Sequence, residues 1–322
     1  AGDGERSIFL ALEKDAPKII DADELDSKLF IAHQDELPVP ARHLVDVSSY
    51  KYSIDGERAL SLISQLGCPF GCGFCGGRNS PSFRRIRSRS TESVVAEMIH
   101  LYKTYGIKGF MFYDDELNVS PKMVELMKAI KDVQAKLGVE WRLRGFLKSQ
   151  LFNEEQAKIM YDAGFRWLLI GFESGSKKIL ENINKRATVE DNTRCMRIAQ
   201  KYGLKVKALM SIGHPGESME TIQETRDWLL AVKPDDFDVT MITVYPGSPY
   251  YDEATLDSDG HWVYSCKNGE RLYQIEIDYM ETAEYYKGDP NGGYKSFVFT
   301  DFISMEKLVE MRDSLERDVR KK

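Results

Sequence analysis

Residues 66–77 read LGCPFGCGFCGG, which sets Cys68, Cys72 and Cys75 among glycines within eight positions. Three readings of those thiols compete. Zinc ligands require a fourth donor, and structural zinc loops usually pair two separated cysteine pairs. Cys195 and Cys266 are single, distant and without ligand-type neighbours. Buried apolar cysteines belong inside a strand or helix, not among glycines that bare the backbone. Iron–sulfur ligation suits the pattern better, because thiolates hold such clusters and glycine lets backbone N–H groups approach the sulfurs. Soft thiolate sites favour both metals, so zinc stays open on this ground alone. A four-iron cluster on three thiolates has one iron with an open corner, and that corner can bind a substrate.

Outward from the loop the chain alternates between two periodicities. ALSLISQL (59–66), IKGFMFYDD (107–115), VEWRLRGFL (139–147), FRWLLIGFE (165–173), LKVKALMSIG (204–213) and FDVTMITVY (237–245) have strand length and are apolar. Between them lie helical patterns such as TESVVAEMIHLYKTYG (91–106), with Ser90 as N-cap and a terminal glycine. Strands alternating with helices argue for parallel βα units covered on both faces. An open doubly wound sheet fits as well. The polar residues favour a barrel, because the cysteines, Asp114, Asp115, Glu173, His214 and Tyr245 all fall at strand C-terminal ends. The expected fold is therefore α/β, a partial parallel (β/α)6 TIM-like barrel over residues 59–250. Residues 1–58 read as a connector or cap, and 251–322 as a C-terminal α/β extension with a substrate lid and a charged terminal helix.

Composition bounds the function. The 322 residues are 42% hydrophobic and 30% charged, which suits a soluble globular protein. No apolar run approaches the ~18–20 residues of a membrane helix. Ala1 is followed by no basic-then-apolar leader, so a cytoplasmic protein with a processed or excised start is expected. A formal charge of −7 argues against general nucleic-acid binding. The exception, FRRIRSRS (83–90), reads best as the loop entering a helix. Five cysteines, three of them crowded, fit a reducing compartment and a metal site better than disulfides.

With these residues in view, the sequence resembles the radical S-adenosylmethionine (SAM) enzymes, whose hallmark is a CxxxCxxC loop after the first barrel strand. Here it stands as Cys68-Pro-Phe-Gly-Cys72-Gly-Phe-Cys75, with the family's aromatic residue, Phe74, before the last cysteine. The resemblance implies that Cys68, Cys72 and Cys75 hold a [4Fe–4S] cluster whose vacant iron is chelated by the amino and carboxylate groups of SAM. It implies further that one electron breaks the C–S bond, and that the resulting 5′-deoxyadenosyl radical takes hydrogen from an unactivated carbon.

Other strand ends fall where the family binds SAM. YDDELN (113–118) makes Tyr113, Asp114 and Asp115 candidate contacts to the methionine amino group, though it departs from the commoner Gly-Gly-Glu form. Its alternative is a solvated acidic turn, but adjacent carboxylates ending an apolar strand need a partner. Glu173 in IGFESGS is similar to the ribose-hydroxyl ligand, or is a helix N-terminal acid favoured by the dipole. Arg144 is the candidate for the SAM carboxylate, with Arg142 on the same strand face; an ordinary salt bridge is the alternative. In SIGHPGES (211–218), Ser211 is a candidate adenine-side contact, and His214 is a base or, better, a cap of the turn. Tyr245 lies near adenine or substrate, and Tyr245 and His214 are the candidate catalytic residues.

The likeness narrows over roughly residues 1–250. AGDGER (1–6) and LPVPARHLVD (37–46) resemble the junction between a cobalamin domain and the barrel in cobalamin-binding radical SAM proteins. STESVVAEM, FESGSKKILENINK and GHPGES suit the same group. A cobalamin domain of ordinary size, about 100–150 residues, does not fit within the residues ahead of GDGER, so the resemblance leads us to expect either that the upstream domain was removed or that this relative has lost it. Cobalamin is thereby a candidate third cofactor, against the plainer reading of GDGE as a glycine turn. The implied reaction is C-methylation or cyclisation of a small-molecule or lipid-like substrate, driven by a reductant such as flavodoxin or ferredoxin. Rearrangement, epimerisation or dehydrogenation without cobalamin are the alternatives within the family. From other classes, the competitors are an electron-transfer iron–sulfur protein and a zinc-stabilised binding module.

Overall fold

The structure is a computed structural model and describes residues 4–23, 25–276 and 294–321. The chain divides into two compact units: Ala1–Pro69, Ser80–Leu169 and Ile198–Lys205 form the first, and Phe70–Asn79, Ile170–Arg197 and Val206–Lys322 the second.

The first unit carries α1 (Gly4–Ala11) and 3-10 turns at 34–36, 42–44 and 47–49. It continues with β1 (Ser53–Ile54), β2 (Glu57–Leu62), β3 (Gln65–Leu66), α2 (Pro81–Arg84), β4 (Arg87–Ser88) and α3 (Thr91–Tyr105). Then come β5 (Gly109–Phe112), α4 (Met123–Leu137), β6 (Arg142–Leu147), α5 (Glu154–Asp162) and the start of β7 (Phe165–Glu173). The second unit holds the end of β7, α6 (Lys177–Asn182), most of α7 (Val189–Lys201), β8 (Lys205–Ile212), α8 (Met219–Val232), β9 (Asp236–Met241) and α9 (Pro249–Asp252). It ends with β10 (Thr255–Leu256), β11 (Trp262–Ser265), β12 (Arg271–Gln274), β13 (Val298–Phe299) and α10 (Met305–Arg320).

One seven-stranded sheet has the order β1-β2-β5-β6-β7-β8-β9. β2–β5, β5–β6 and β8–β9 pair in parallel, with Ala59 opposite Gly109 and Lys207 opposite Asp236. This is the α/β partial-barrel architecture expected from the strand–helix alternation. Burial alternates along β6 and β9, so one face of each strand lies under covering elements and the other is half-open. In the first unit the covered layer packs Phe110 against Trp141 and Phe112 against Phe165, with ring centroids 5.1 and 5.7 Å apart.

The expected strand 59–66 is interrupted. β2 stops at Leu62 because the Ser64 N–H and hydroxyl both turn to the Asp114 carboxylate, and Gln65–Leu66 pairs antiparallel with Arg87–Ser88 instead. That break delivers Gly67 at φ +93°, where an added β-carbon would sit 2.0 Å from the Arg85 carbonyl oxygen; only glycine fits. Within the basic run, Arg87 donates to the Ile31 carbonyl and Arg89 pairs with Glu97, so these cations serve the unit's interior. The C-terminal extension holds an antiparallel sheet, β10-β11-β12-β13, and the expected terminal helix, α10. Residues 277–293, which include most of the tyrosine- and glycine-rich stretch read as a lid, lie outside the described residues. No helix among the described residues is long and apolar enough to cross a membrane.

A sheet edge leaves unpaired backbone groups, and α10 closes the β9 edge with charge. Glu316 accepts the Val239 N–H at 2.9 Å, while Arg312 donates to the Val239 carbonyl at 3.0 Å. Both side chains are almost fully buried and bond to each other. Removing one partner of a buried pair strands the other, at about 3–5 kcal/mol. Glu316→Ala should therefore lower unfolding free energy by about that amount in urea denaturation, whereas exposed Glu310→Ala should stay within about 0.5 kcal/mol. Equal effects would refute the edge-closing part of Glu316.

Candidate active site around the cysteine loop

The cysteine loop passes from the first unit to the second between Pro69 and Phe70. Its thiols form no disulfides; Cys72 is buried, and Cys68 and Cys75 are half-buried.

In the first unit, the end of β5 supports the approach to Cys68. Asp114, 1% exposed, takes the Ser64 N–H at 2.7 Å and the Ser64 hydroxyl. Asp115 takes the Gly67 N–H at 2.6 Å. Burial raises Asp114 to about 6, against the pull of those hydrogen bonds. The partners that two adjacent carboxylates require are thus backbone and hydroxyl groups of the segment entering the loop. Tyr113 is exposed, its ring 5.7 Å from that of Phe146. Arg144, opposite Met111 on β6, lies 5.8 Å from the Trp167 ring, and its buried Nε has no hydrogen-bond partner among the described residues. Arg142 is spent on Glu140 and the Trp141 carbonyl.

In the second unit, the loop is held by its backbone. Gly73 donates to the Ile183 carbonyl and accepts from the Tyr250 N–H, each at 3.0 Å. A β-carbon on Gly73 would come within 2.3 Å of the Tyr250 ring, so glycine permits that approach. Asn184 donates to the Gly71 carbonyl at 2.9 Å and Arg78 to the Phe70 carbonyl at 2.7 Å. Phe74 packs on Ile179, Leu180 and Ile183, its ring 5.4 Å from His214. Tyr245 is 44% exposed and lies against Gly76.

Glu173, Ser211 and His214 meet in one hydrogen-bonded chain. Glu173 ends β7 at φ +63°, a conformation that costs a non-glycine residue about 1–3 kcal/mol. Its Oε1 pairs with Lys185 Nζ at 2.9 Å, and its Oε2 accepts the Ser211 hydroxyl at 2.9 Å. Burial alone would raise Glu173, but the charge and hydrogen bond of Lys185, with Ser211, hold it below the ordinary value. Ser211 gives its only proton to Glu173, so His214 Nε2, 2.8 Å away, must be the donor to Ser211. Nδ1 then accepts from the Tyr250 hydroxyl at 3.4 Å. Burial lowers His214 to about 4, the charge of Glu173 opposing and that of Lys185 assisting, so the ring is neutral near pH 7. The His214 carbonyl closes the turn by accepting the Glu217 N–H, while the ring joins the chain.

A family model described as the radical SAM superfamily matches residues 62–229, just over half of the chain. The chain belongs to the radical SAM superfamily. It is 32% identical over 230 residues to an uncharacterized methyltransferase of Pyrococcus horikoshii, across 71% of this chain and 48% of that protein. It is 29% identical over 192 residues to the anaerobic magnesium-protoporphyrin IX monomethyl ester cyclase of Rubrivivax gelatinosus, across 58% of this chain and 33% of the cyclase. The chain thus spans about half, or less, of these curated relatives. Among solved structures, the radical SAM methyltransferase TsrM from Kitasatospora setae, with cobalamin and a [4Fe–4S] cluster bound, aligns at a TM-score of 0.62. That match covers 80% of this chain and 52% of TsrM at 20% identity, a likeness of fold.

Membership implies a [4Fe–4S] cluster and SAM, and the donor set suits them: soft thiols on a loop whose backbone is held through its carbonyls and N–H groups. Sequence reasoning missed Lys185 and Tyr250. Lys185 stands between two left-handed residues, Asn184 (φ +54°) and Arg186 (φ +57°), in a polar NINKR run that reads only as a loop. Tyr250 is one of two adjacent tyrosines, and nothing in PYYDEA says which is buried.

Lys185→Met should strip Glu173 of its cation and destabilise the protein by about 3 kcal/mol. Adding Glu173→Gln should recover much of that loss in a double-mutant cycle read by urea denaturation. Additive losses would mean that the two residues are not coupled.

Proposed function

We propose that the chain forms the radical SAM core of an enzyme that C-methylates or cyclises a small-molecule or lipid-like substrate. What carries this reading is the Cys68–Cys72–Cys75 loop in a chain of this superfamily whose relatives include a methyltransferase and a cyclase. In it the three thiolates ligate the cluster, and residues 59–250 form the catalytic barrel between the 1–58 connector and the 251–322 extension. The bound cluster and SAM supply the one-electron chemistry that takes hydrogen from an unactivated carbon.

The chain's own residues bind and orient. Each Glu173 oxygen keeps a lone pair beyond its bond to Lys185 or Ser211, and these accept the ribose hydroxyls. Because Lys185 keeps Glu173 ionised, the acceptor is ready before the nucleoside arrives. Ser211 orients that carboxylate, and neutral His214, with both nitrogens engaged, acts as a positioning residue and not as a base. Arg144 meets the SAM carboxylate by charge-assisted hydrogen bonding, while Phe74 and Tyr113 provide aromatic surface. Asp114 and Asp115 position the entry to Cys68. Tyr245, exposed over Gly76, is the remaining candidate at the reacting atoms. Cobalamin is the proposed third cofactor on the strength of GDGER and LPVPARHLVD. The proposed setting is cytoplasmic, with a flavodoxin or ferredoxin as reductant.

After anaerobic reconstitution with iron and sulfide, reduction in the presence of SAM should release 5′-deoxyadenosine. Cys72→Ala should abolish that release while leaving the far-ultraviolet circular dichroism unchanged. Deoxyadenosine from the folded variant would contradict the ligand assignment.

A further inference from the structure

We infer, on the basis of the SAM site proposed above, that Asn182 and Thr300 are positioning residues for SAM. Between them they hold the buried turn that carries His214 at a fixed spacing from the cluster loop. All the residues concerned belong to the second unit. A ligand that chelates iron at one end and meets Glu173 and Ser211 at the other spans two pieces of chain. Setting their separation beforehand spares the ligand that ordering cost.

The end of α6 sets it. Ile183, just past the last residue of α6, accepts the Gly73 N–H of the cluster loop at 3.0 Å. Asn182, that last residue, donates from Nδ2 to the Pro215 carbonyl at 2.8 Å. Pro215 directly follows His214. A carbonyl only accepts, so Nδ2 must face Pro215, and Oδ1 then takes the Asn268 side-chain N–H at 2.8 Å. Gly216 stands at φ +75°, and a β-carbon there would lie 2.8 Å from Asn182 Nδ2, so glycine permits the approach.

Residues 211–217 are all buried, so the carbonyls of the turn need partners from the protein. Backbone N–H groups of Ile242 and Glu217 meet those of Ile212 and His214. The Pro215 and Glu217 carbonyls are met by side chains instead. Thr300, just past β13, donates its hydroxyl to the Glu217 carbonyl at 2.6 Å and accepts the Phe302 N–H at 3.1 Å. Asn182 and Thr300 are 6% and 5% exposed, so water cannot take their place. Both act through the turn: with Pro215 and Glu217 anchored, His214 stays against Ser211, and Ser211 against Glu173.

Titrating the reduced, reconstituted full chain with SAM, followed by the electron paramagnetic resonance of its cluster, tests this. Asn182→Leu and Thr300→Val should each raise the SAM dissociation constant about tenfold, as expected for one buried carbonyl left unmet. Iron content and the SAM-free cluster signal should match the wild type. Thr300→Ser, which keeps the hydroxyl, should restore wild-type affinity. If Asn182→Leu does not fold, Asn268→Ala at an exposed position replaces it and should weaken SAM about threefold. Variants that lose stability in urea yet bind SAM like the wild type would overturn the inference. So would a Thr300→Ser variant as weak as Thr300→Val. A wild-type chain that holds the cluster but binds no SAM would overturn the proposed site, and the roles of Asn182 and Thr300 with it.

Discussion

A loop of three thiols and four glycines between Cys68 and Gly77 has little conformational preference of its own, since glycine roams widely in the unfolded chain. Its shape has to be imposed by its surroundings. Two carboxylates impose it on the approach: Asp114 and Asp115 grip Ser64 and Gly67 by their N–H groups. Beyond Pro69 the grip passes to Ile183, Asn184 and Tyr250, which bond the backbone of Gly71 and Gly73. These contacts use the amide and carbonyl groups of the loop. A preorganised ligand loop suits a centre that must hold three corners of a cluster and keep the fourth open.

The same economy governs Glu173. Its left-handed backbone and its partial burial are both unfavourable, and Lys185 and Ser211 offset them together. The hydrogen bonds run in one direction, from the Tyr250 hydroxyl through His214 and Ser211 to the carboxylate. Every proton in that line has a defined place, and burial keeps Tyr250 protonated well above its usual range and His214 neutral. Such a line stores orientation rather than acid–base capacity.

Much of this was legible in the sequence, and the illegible parts share a cause. The strand and helix rhythm survives because period and capping are local: Ser90 caps α3 through the Ser93 N–H, and Gly106 ends it at φ +67°. The apolar run at 59–66 was read as one strand because its interruption depends on Asp114, fifty residues away. Asp114 and Asp115 were visible as acids in need of a partner, yet the partner is set by the parallel register of β2 and β5. Lys185 and Tyr250 stayed hidden for the same reason. A lysine in a loop and one tyrosine of a pair gain meaning only when the fold brings Glu173 or His214 to them.

The central claim is that three protein thiolates hold a four-iron cube with one iron left for SAM. Mössbauer spectroscopy of the chain reconstituted with isotopically enriched iron reads this directly. The account predicts a [4Fe–4S] spectrum in which added SAM shifts a single iron site and leaves the others alone. Four sites indifferent to SAM, or a chain that takes up one zinc ion in place of the cluster, would contradict it.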